Sequence, residues 1–206
     1  MGGETEQVGV LDALVERVLR TYPYRFTLAE TPAEREVAFR IRHDAVTSSG
    51  WPLPPGLPEG QERDGYDDDA VQVVGWDGPT PISTGRLVLP PSALPTQDEC
   101  GITVQPAGEV VEVGRMCVVS GYQSYRHAAF IALLSRLYLE MRSRGYAVAC
   151  GLMSPRTRRL MRQLGLRLEE LGEDRPYWGE PRAPVRFTLL ANRASLADRW
   201  GGAGPA

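Results

Sequence analysis

Apolar side chains open the chain at three- and four-residue steps. Val8, Leu11, Leu14, Val15, Val18 and Leu19 form one stripe across residues 5–20, the period of an amphipathic helix that packs on a larger body. After Pro23 the pattern changes to alternation through Tyr24-Arg25-Phe26-Thr27-Leu28, which predicts a strand. Thr31, Pro32 and Glu34 then supply an N-cap, a first-turn proline and an N3 acid, so a second helix is expected over residues 32–46. Its apolar stripe is Val37, Ala38, Ile41 and Ala45, and Arg42 lies beside that stripe rather than opposite it.

Pro52, Pro54, Pro55 and Pro58 exclude regular helix or central strand from the following stretch, residues 48–69. A loop this long inside a compact domain, ending in the acidic run ERDGYDDD, predicts a binding loop or a lid. Residues 71–76 and 82–89 flank an Asp77-Gly78 turn signal and predict a hairpin. A proline-bearing loop over 90–106 leads to a strand over 109–119. Strict alternation would place Val111, Val113 and Arg115 on one side of that strand and Glu112, Gly114 and Met116 on the other, unless a bulge intervenes. A long helix over 128–144, a buried strand over 146–152, a Ser154-Pro155-capped helix to about residue 164 and two late strands, 166–171 and 185–190, complete the pattern. The last two are separated by a loop, GEDRPYWGEPRAP. This order predicts an α/β domain with a mixed sheet over residues 23–191, an N-terminal helix over 1–22 and a frayed tail over 192–206.

The length, 206 residues, fits one domain. No apolar run approaches the ~20 residues of a membrane span, and the N-terminus lacks the pattern of a signal peptide, so a cytoplasmic protein is expected. Cys100, Cys117 and Cys150 are odd in number and lack CxxC spacing, which predicts buried free thiols rather than disulfides or zinc. The net charge of −3 argues against nucleic acid as a partner. The chain has no lysine, so Schiff-base chemistry is excluded. Arg156, Arg158, Arg159, Arg162 and Arg167 fall close together, as either a surface for an acidic partner or phosphorylated ligand or a solvated helix face.

Three islands of charge recur in order. Arg42 comes with Trp51 and Glu62-Arg63-Asp64-Gly65-Tyr66-Asp67, then follow Gly85-Arg86-Leu87 and Glu112-Val113-Gly114-Arg115. Each sits at the edge of an apolar segment, where an unpaired buried ion would cost several kcal/mol, so the islands are expected to converge on a pocket. Their order and spacing resemble the acyl-homoserine-lactone synthases and N-acyl amino acid synthases, a branch of the GNAT acyltransferase superfamily, over most of the chain after the first helix. The resemblance implies a GNAT-type mixed sheet over residues 25–190 and acyl transfer by direct attack of an amine on a thioester, with no tightly bound cofactor. It also implies that Asp64 and Asp67 contact the amino substrate and that Arg42, Trp51 and Arg86 complete the pocket. Tyr177-Trp178-Gly179-Glu180-Pro181-Arg182 is similar to the late YxGExR-type loop of N-acyl amino acid synthases, where Trp178 and Tyr177 would wall the acyl channel or cover the sheet edge.

At the junction Gln123-Ser124-Tyr125-Arg126-His127-Ala128, the superfamily's Q/RxxGxG/A signature keeps Gln123 and Ala128 but has Arg126 in place of a glycine. The resemblance assigns donor binding to Met116, Val118, Gln123, Arg126 and Ala128. It implies a phosphopantetheine arm on an acyl carrier protein, with acyl-coenzyme A as the other donor; a plain helix cap is the alternative.

An amine must shed a proton as it attacks, which makes Glu112 the candidate base. Arg115 would hold it or bind the acceptor's carboxylate, unless the two form only a structural ion pair. Backbone N–H groups near Met116 and Val118 would meet the oxyanion. The mixed charges of Arg42, Asp64, Asp67 and Arg86 suit a zwitterion: S-adenosylmethionine, an amino acid or an amine of a specialised metabolite. Glu62, Asp64 and Asp67 lack EF-hand spacing, so no metal is expected. Nor do His43, His127 or Cys117 form a visible nucleophilic pair. Two rivals remain: an acetyl-coenzyme A-dependent acetyltransferase of a small amine, and a non-catalytic module that binds a ligand or partner.

Overall fold

The computed structural model describes residues 2–123, 127–188 and 192, with the backbone alone for residues 2–10. In order the elements are α1 (Gly2–Thr21), β1 (Arg25–Leu28), α2 (Pro32–Ser48), β2 (Val71–Asp77), β3 (Thr80–Val88) and α3 (Pro95–Cys100). Then come β4 (Val110–Val118), α4 (Ala128–Ser143), β5 (Val148–Met153), α5 (Pro155–Gln163), β6 (Glu169–Glu170), β7 (Arg175–Tyr177) and β8 (Glu180–Thr188). The α/β fold with a mixed sheet is as expected. Strands run in the order β1-β2-β3-β4-β5-β8-β6, with β7 paired to β8. Every pairing is antiparallel except β4 with β5.

Local signals explain the elements that were anticipated. At the start of α2, Thr31 Oγ1 accepts from the Glu34 N–H while the Glu34 carboxylate accepts from the Thr31 N–H at 2.8 Å, a reciprocal cap. Two elements depart from expectation. The 90–106 stretch contains the short helix α3, opened by Pro95 and closed by Gly101 in the left-handed region. The presumed loop before the last strand is a hairpin, β7–β8, turning at Trp178 (φ 53°) and Gly179 (φ 75°); two successive positive φ values match the right-handed twist of the flanking strands.

The two faces of the sheet are covered differently. On one, Leu133, Leu137 and Met141 of α4 pack on Val73, Leu87, Val111, Val113 and Ala149. Each such fully buried side chain contributes about 1.5–3 kcal/mol. Helix α1 lies on α4 through Leu11, Leu14 and Val15, and the Tyr138 hydroxyl donates to Asp12 at 2.7 Å. On the other face, α2 packs Ala38 and Ile41 against Val74, and α3 covers the end that carries Val88, Val110 and Cys150. The long loop after α2 folds back over the same face: the Glu62 N–H donates to the Phe39 carbonyl at 3.1 Å.

Strand β4 carries the bulge that alternation alone leaves open. Arg86 pairs with Gly114 and Thr84 with Cys117, so Arg115 and Met116 together oppose Gly85. Arg115 takes φ 50°. Its side chain thereby joins Glu112 and Cys117 on the α2 face, while Met116 packs toward α4. The expected grouping of Arg115 with Val111 and Val113 is corrected accordingly.

Candidate active site

Arg42, Arg86 and Arg115 meet Glu62, Asp64 and Asp67 in a single network of three cations and three anions. Arg42 Nη1 and Nη2 donate to the two Asp67 oxygens at 2.7 and 2.9 Å, and its Nε donates to Glu62. Arg86 Nη1 donates to Asp64 at 2.5 Å and to Asp67 at 2.8 Å. Arg115 donates to Asp64 at 2.8 Å, to Glu62 at 3.4 Å and to the Tyr177 hydroxyl oxygen at 3.3 Å. Asp67 also accepts from Gln72 and from the Asp64 N–H, both at 2.8 Å. Its roughly four lone-pair sites are thus all occupied. Burial alone would push the Asp67 carboxyl up, but Arg42 and Arg86 hold it well below the usual carboxylate range.

The islands therefore do converge, as the sequence suggests, but largely on one another. Arg42 and Glu62 are 0% exposed and Asp67 and Arg86 2%, so Arg42, Asp67 and Arg86, expected in an acceptor pocket, lie beneath the surface. Only Asp64 and Arg115 reach the surface, with side chains 25% and 12% exposed. Among the described residues no group of three or more His, Cys, Asp or Glu is placed to hold a metal ion.

Beside the network, β4 and β5 separate. Their pairing runs only from Val110↔Val148 to Glu112↔Cys150. At the next residue a side chain on Gly151 would meet the Val113 carbonyl oxygen at 2.6 Å, so only glycine lets the two backbones approach at the point of divergence. A cleft of about 480 Å³ opens beyond it. Met116, Val118 and Gln123 line one side, with His127 and Phe130 at the start of α4; Ser154, Arg156 and Arg159 line the other; Trp51 and Glu180 close it. Three expected donor residues, Met116, Val118 and Gln123, thus share one wall. Gln123 is tied to the strand end by donating to the Val118 carbonyl at 2.8 Å, Ala128 is buried as the first residue of α4, and Arg126 falls outside the described residues. The arginine cluster divides: Arg158 is bound to Asp174 at 2.7 Å and to the Met153 carbonyl at 2.8 Å, whereas Arg156 and Arg159 are exposed.

Trp51 and Trp178 link cleft to network. The Arg115 guanidinium lies 4.1 Å from the Trp178 ring centroid, and a Cβ on Gly179 would fall 2.4 Å from Trp51, so the late hairpin and the long loop touch through a bare backbone. Arg115, His127 and Trp178 are the three non-glycine residues with positive φ among those described, and all three border this site. Strain of about 1–3 kcal/mol per residue persists only where surrounding structure over-determines it, characteristically at functional sites.

Glu112 lies apart from this cleft. It is 4% exposed, does not line the cleft, and accepts from the Thr96 N–H of α3 at 2.7 Å, with Cys150 Sγ 4.0 Å away. Burial pushes its carboxyl up to about 7. Helix α3 was not anticipated, and so neither was this partner. Burial likewise pushes the Cys117 thiol up to about 11, which keeps it protonated and leaves no thiolate nucleophile.

No protein-family model matches the chain, and no curated protein matches it. Solved structures do. FeeM, an N-acyl amino acid synthase from uncultured soil microbes, is 14% identical over 84% of this chain and 94% of its own, with a TM-score of 0.68. The acyl-homoserine-lactone synthase LasI is 15% identical over 87% and 95%, TM-score 0.71. MesI, a CoA-dependent acyl-homoserine lactone synthase, is 23% identical over 87% and 97%, TM-score 0.68. The chain has the GNAT-like fold of these synthases.

Proposed function

We propose that the protein is an N-acyltransferase that moves an acyl group from a thioester to the amine of a small, amino-acid-like acceptor. The unpaired part of β4 past Glu112 carries this reading, because it supplies Met116 and Val118 to the cleft and Arg115 to the charge network. Beyond Glu112 the edge of β4 no longer pairs with β5. A pantetheine arm, whose amides pair like those of a peptide, can lie along that edge as an added strand. Arg156 and Arg159 stand at the mouth, suited to the arm's phosphate or to an acidic carrier protein.

The acceptor amine then approaches from the side of Asp64 and Arg115 and attacks the thioester carbon. A C–N bond forms, the C–S bond breaks and the sulfur leaves as a thiolate, which takes up a proton from water. Backbone N–H groups near Met116 and Val118 are suited to the developing oxyanion. The amine proton goes to Glu112, whose raised affinity for protons suits a base near neutral pH; since it lies behind the cleft, the proton reaches it through an intervening group.

The test is direct. Purified protein is offered matched acyl chains on coenzyme A and on a carrier protein, with free amino acids, S-adenosylmethionine and simple amines as acceptors. Thiol release and product mass are followed. The expected product is an amide of an amino-acid-like acceptor. Transfer of acetyl alone to simple amines would favour the acetyltransferase rival, and ligand binding with no thiol release would leave a non-catalytic module.

A further inference from the structure

With Arg42, Arg86 and Arg115 facing three carboxylates, the network has no net charge to offer an incoming anion. A fourth guanidinium beside it is held by a carboxylate through one nitrogen alone. Arg182 on β8 lies 5.2 Å from the Trp51 ring centroid and 5.9 Å from that of Tyr177. Its side chain is only 20% exposed, and its ion pair is with Glu180 at 3.0 Å, through Nη2. Its Nε is buried with no hydrogen-bond partner. Glu180 itself lines the cleft beside Trp51. Burial and the nearby charge of Arg115 both make this cation less comfortable than an ordinary surface arginine. A planar donor fork beside two aromatic rings, with its Nε unpaired and one carboxylate on Nη2, is suited to recognise a second carboxylate.

We propose that Arg182 is the specificity-determining residue that receives the acceptor's carboxylate, with Trp51 and Tyr177 fixing the plane of its guanidinium. This deepens the acyltransfer reading and rests on it for the word acceptor, yet binding can be measured without any transfer. Full-length protein, without donor, would be titrated calorimetrically with each of the twenty L-amino acids and with the corresponding amino-acid amides. At least one amino acid should bind about tenfold or more tightly than its amide. Arg182→Gln should weaken the carboxylate form by about tenfold to a hundredfold and leave the amide within about twofold, while Arg182→Lys keeps an intermediate preference.

The ratio within one variant controls for partial loss of structure. An unchanged carboxylate preference in Arg182→Gln, equal weakening of acid and amide, or wild-type protein that binds no amino acid would each overturn the assignment. The transfer reading stands or falls separately: carboxylate-selective binding without thiol release from any thioester leaves Arg182 in place and removes the enzyme, whereas acylation of simple amines with no carboxylate preference does the reverse.

Discussion

The two faces of this sheet are buried to a similar depth by opposite means. Toward α4 the interior is aliphatic, with Leu133, Leu137 and Met141 seated on valines and alanines. Toward α2 it contains an ion network whose arginines and carboxylates are almost as inaccessible. The aliphatic face gains stability in proportion to area removed from water. The ionic face gains little net stability, because desolvation offsets most of the Coulomb attraction, but it fixes a long proline-rich loop in one place. The comparison teaches that the charged islands serve order more than affinity. They hold Asp64 and Arg115, the two members of the network whose side chains reach the surface, in fixed positions.

The largest test of that contrast removes one cation. Arg42→Leu leaves Glu62 and Asp67 buried without their main partner, and a loss of about 3–5 kcal/mol in urea unfolding is expected. Its aliphatic counterpart, Leu137→Ala, should cost about 2–5 kcal/mol through lost contacts and a cavity. The two should part in acid. Asp67 is held below its unfolded value, so the stability it provides is present above the ordinary aspartate range and is lost as pH falls from that range through the lower folded value. The penalty of Arg42→Leu should therefore shrink toward low pH while that of Leu137→Ala stays level; parallel pH profiles would erase the distinction between the faces.

Glu112 should behave in the opposite sense. Its folded value is raised to about 7, so the folded state keeps a proton that the unfolded state has released, and stability declines as pH rises from about 4.5 to 7. Glu112→Gln, which can still accept from the Thr96 N–H, should gain on the order of 2 kcal/mol at about pH 8 and nothing at about pH 4. If Glu112 is the base, the same variant turns over about a hundredfold more slowly or worse. A variant that gains stability and retains full rate would remove Glu112 from the mechanism. The smallest effect on stability belongs to the exposed pair. Arg156→Glu and Arg159→Glu should change unfolding by less than about 0.5 kcal/mol yet weaken use of a carrier-bound donor, most at low salt, where exposed charges are least screened. A carrier-dependent rate indifferent to both would detach this patch from the donor.

Legibility in the sequence followed the range of each interaction. The α2 cap is legible because Thr31 and Glu34 lie within one turn. The hairpin of β2 and β3 is legible from Asp77-Gly78, whereas the β7–β8 turn is not, because Trp178 occupies a conformation usually left to Asn, Asp or Gly. Convergence of the islands is implied by their order, but which carboxylate meets which arginine depends on pairs as far apart as Arg115 and Glu62. The bulge at Arg115 could not be read from β4 alone, since it exists only relative to β3.

That bulge gives β4 two reading frames. Up to Val113 the strand delivers odd-numbered side chains to α4; past Arg115 it delivers even-numbered ones. A single-residue deletion at Met116 would bring the two halves into phase and carry Arg115 across the sheet, toward Leu133 and Leu137. Such a deletion is conservative in length and composition and profound in effect, because it exchanges what each side of the sheet can see. The strand tolerates substitution at many points, but at this one position it must keep count.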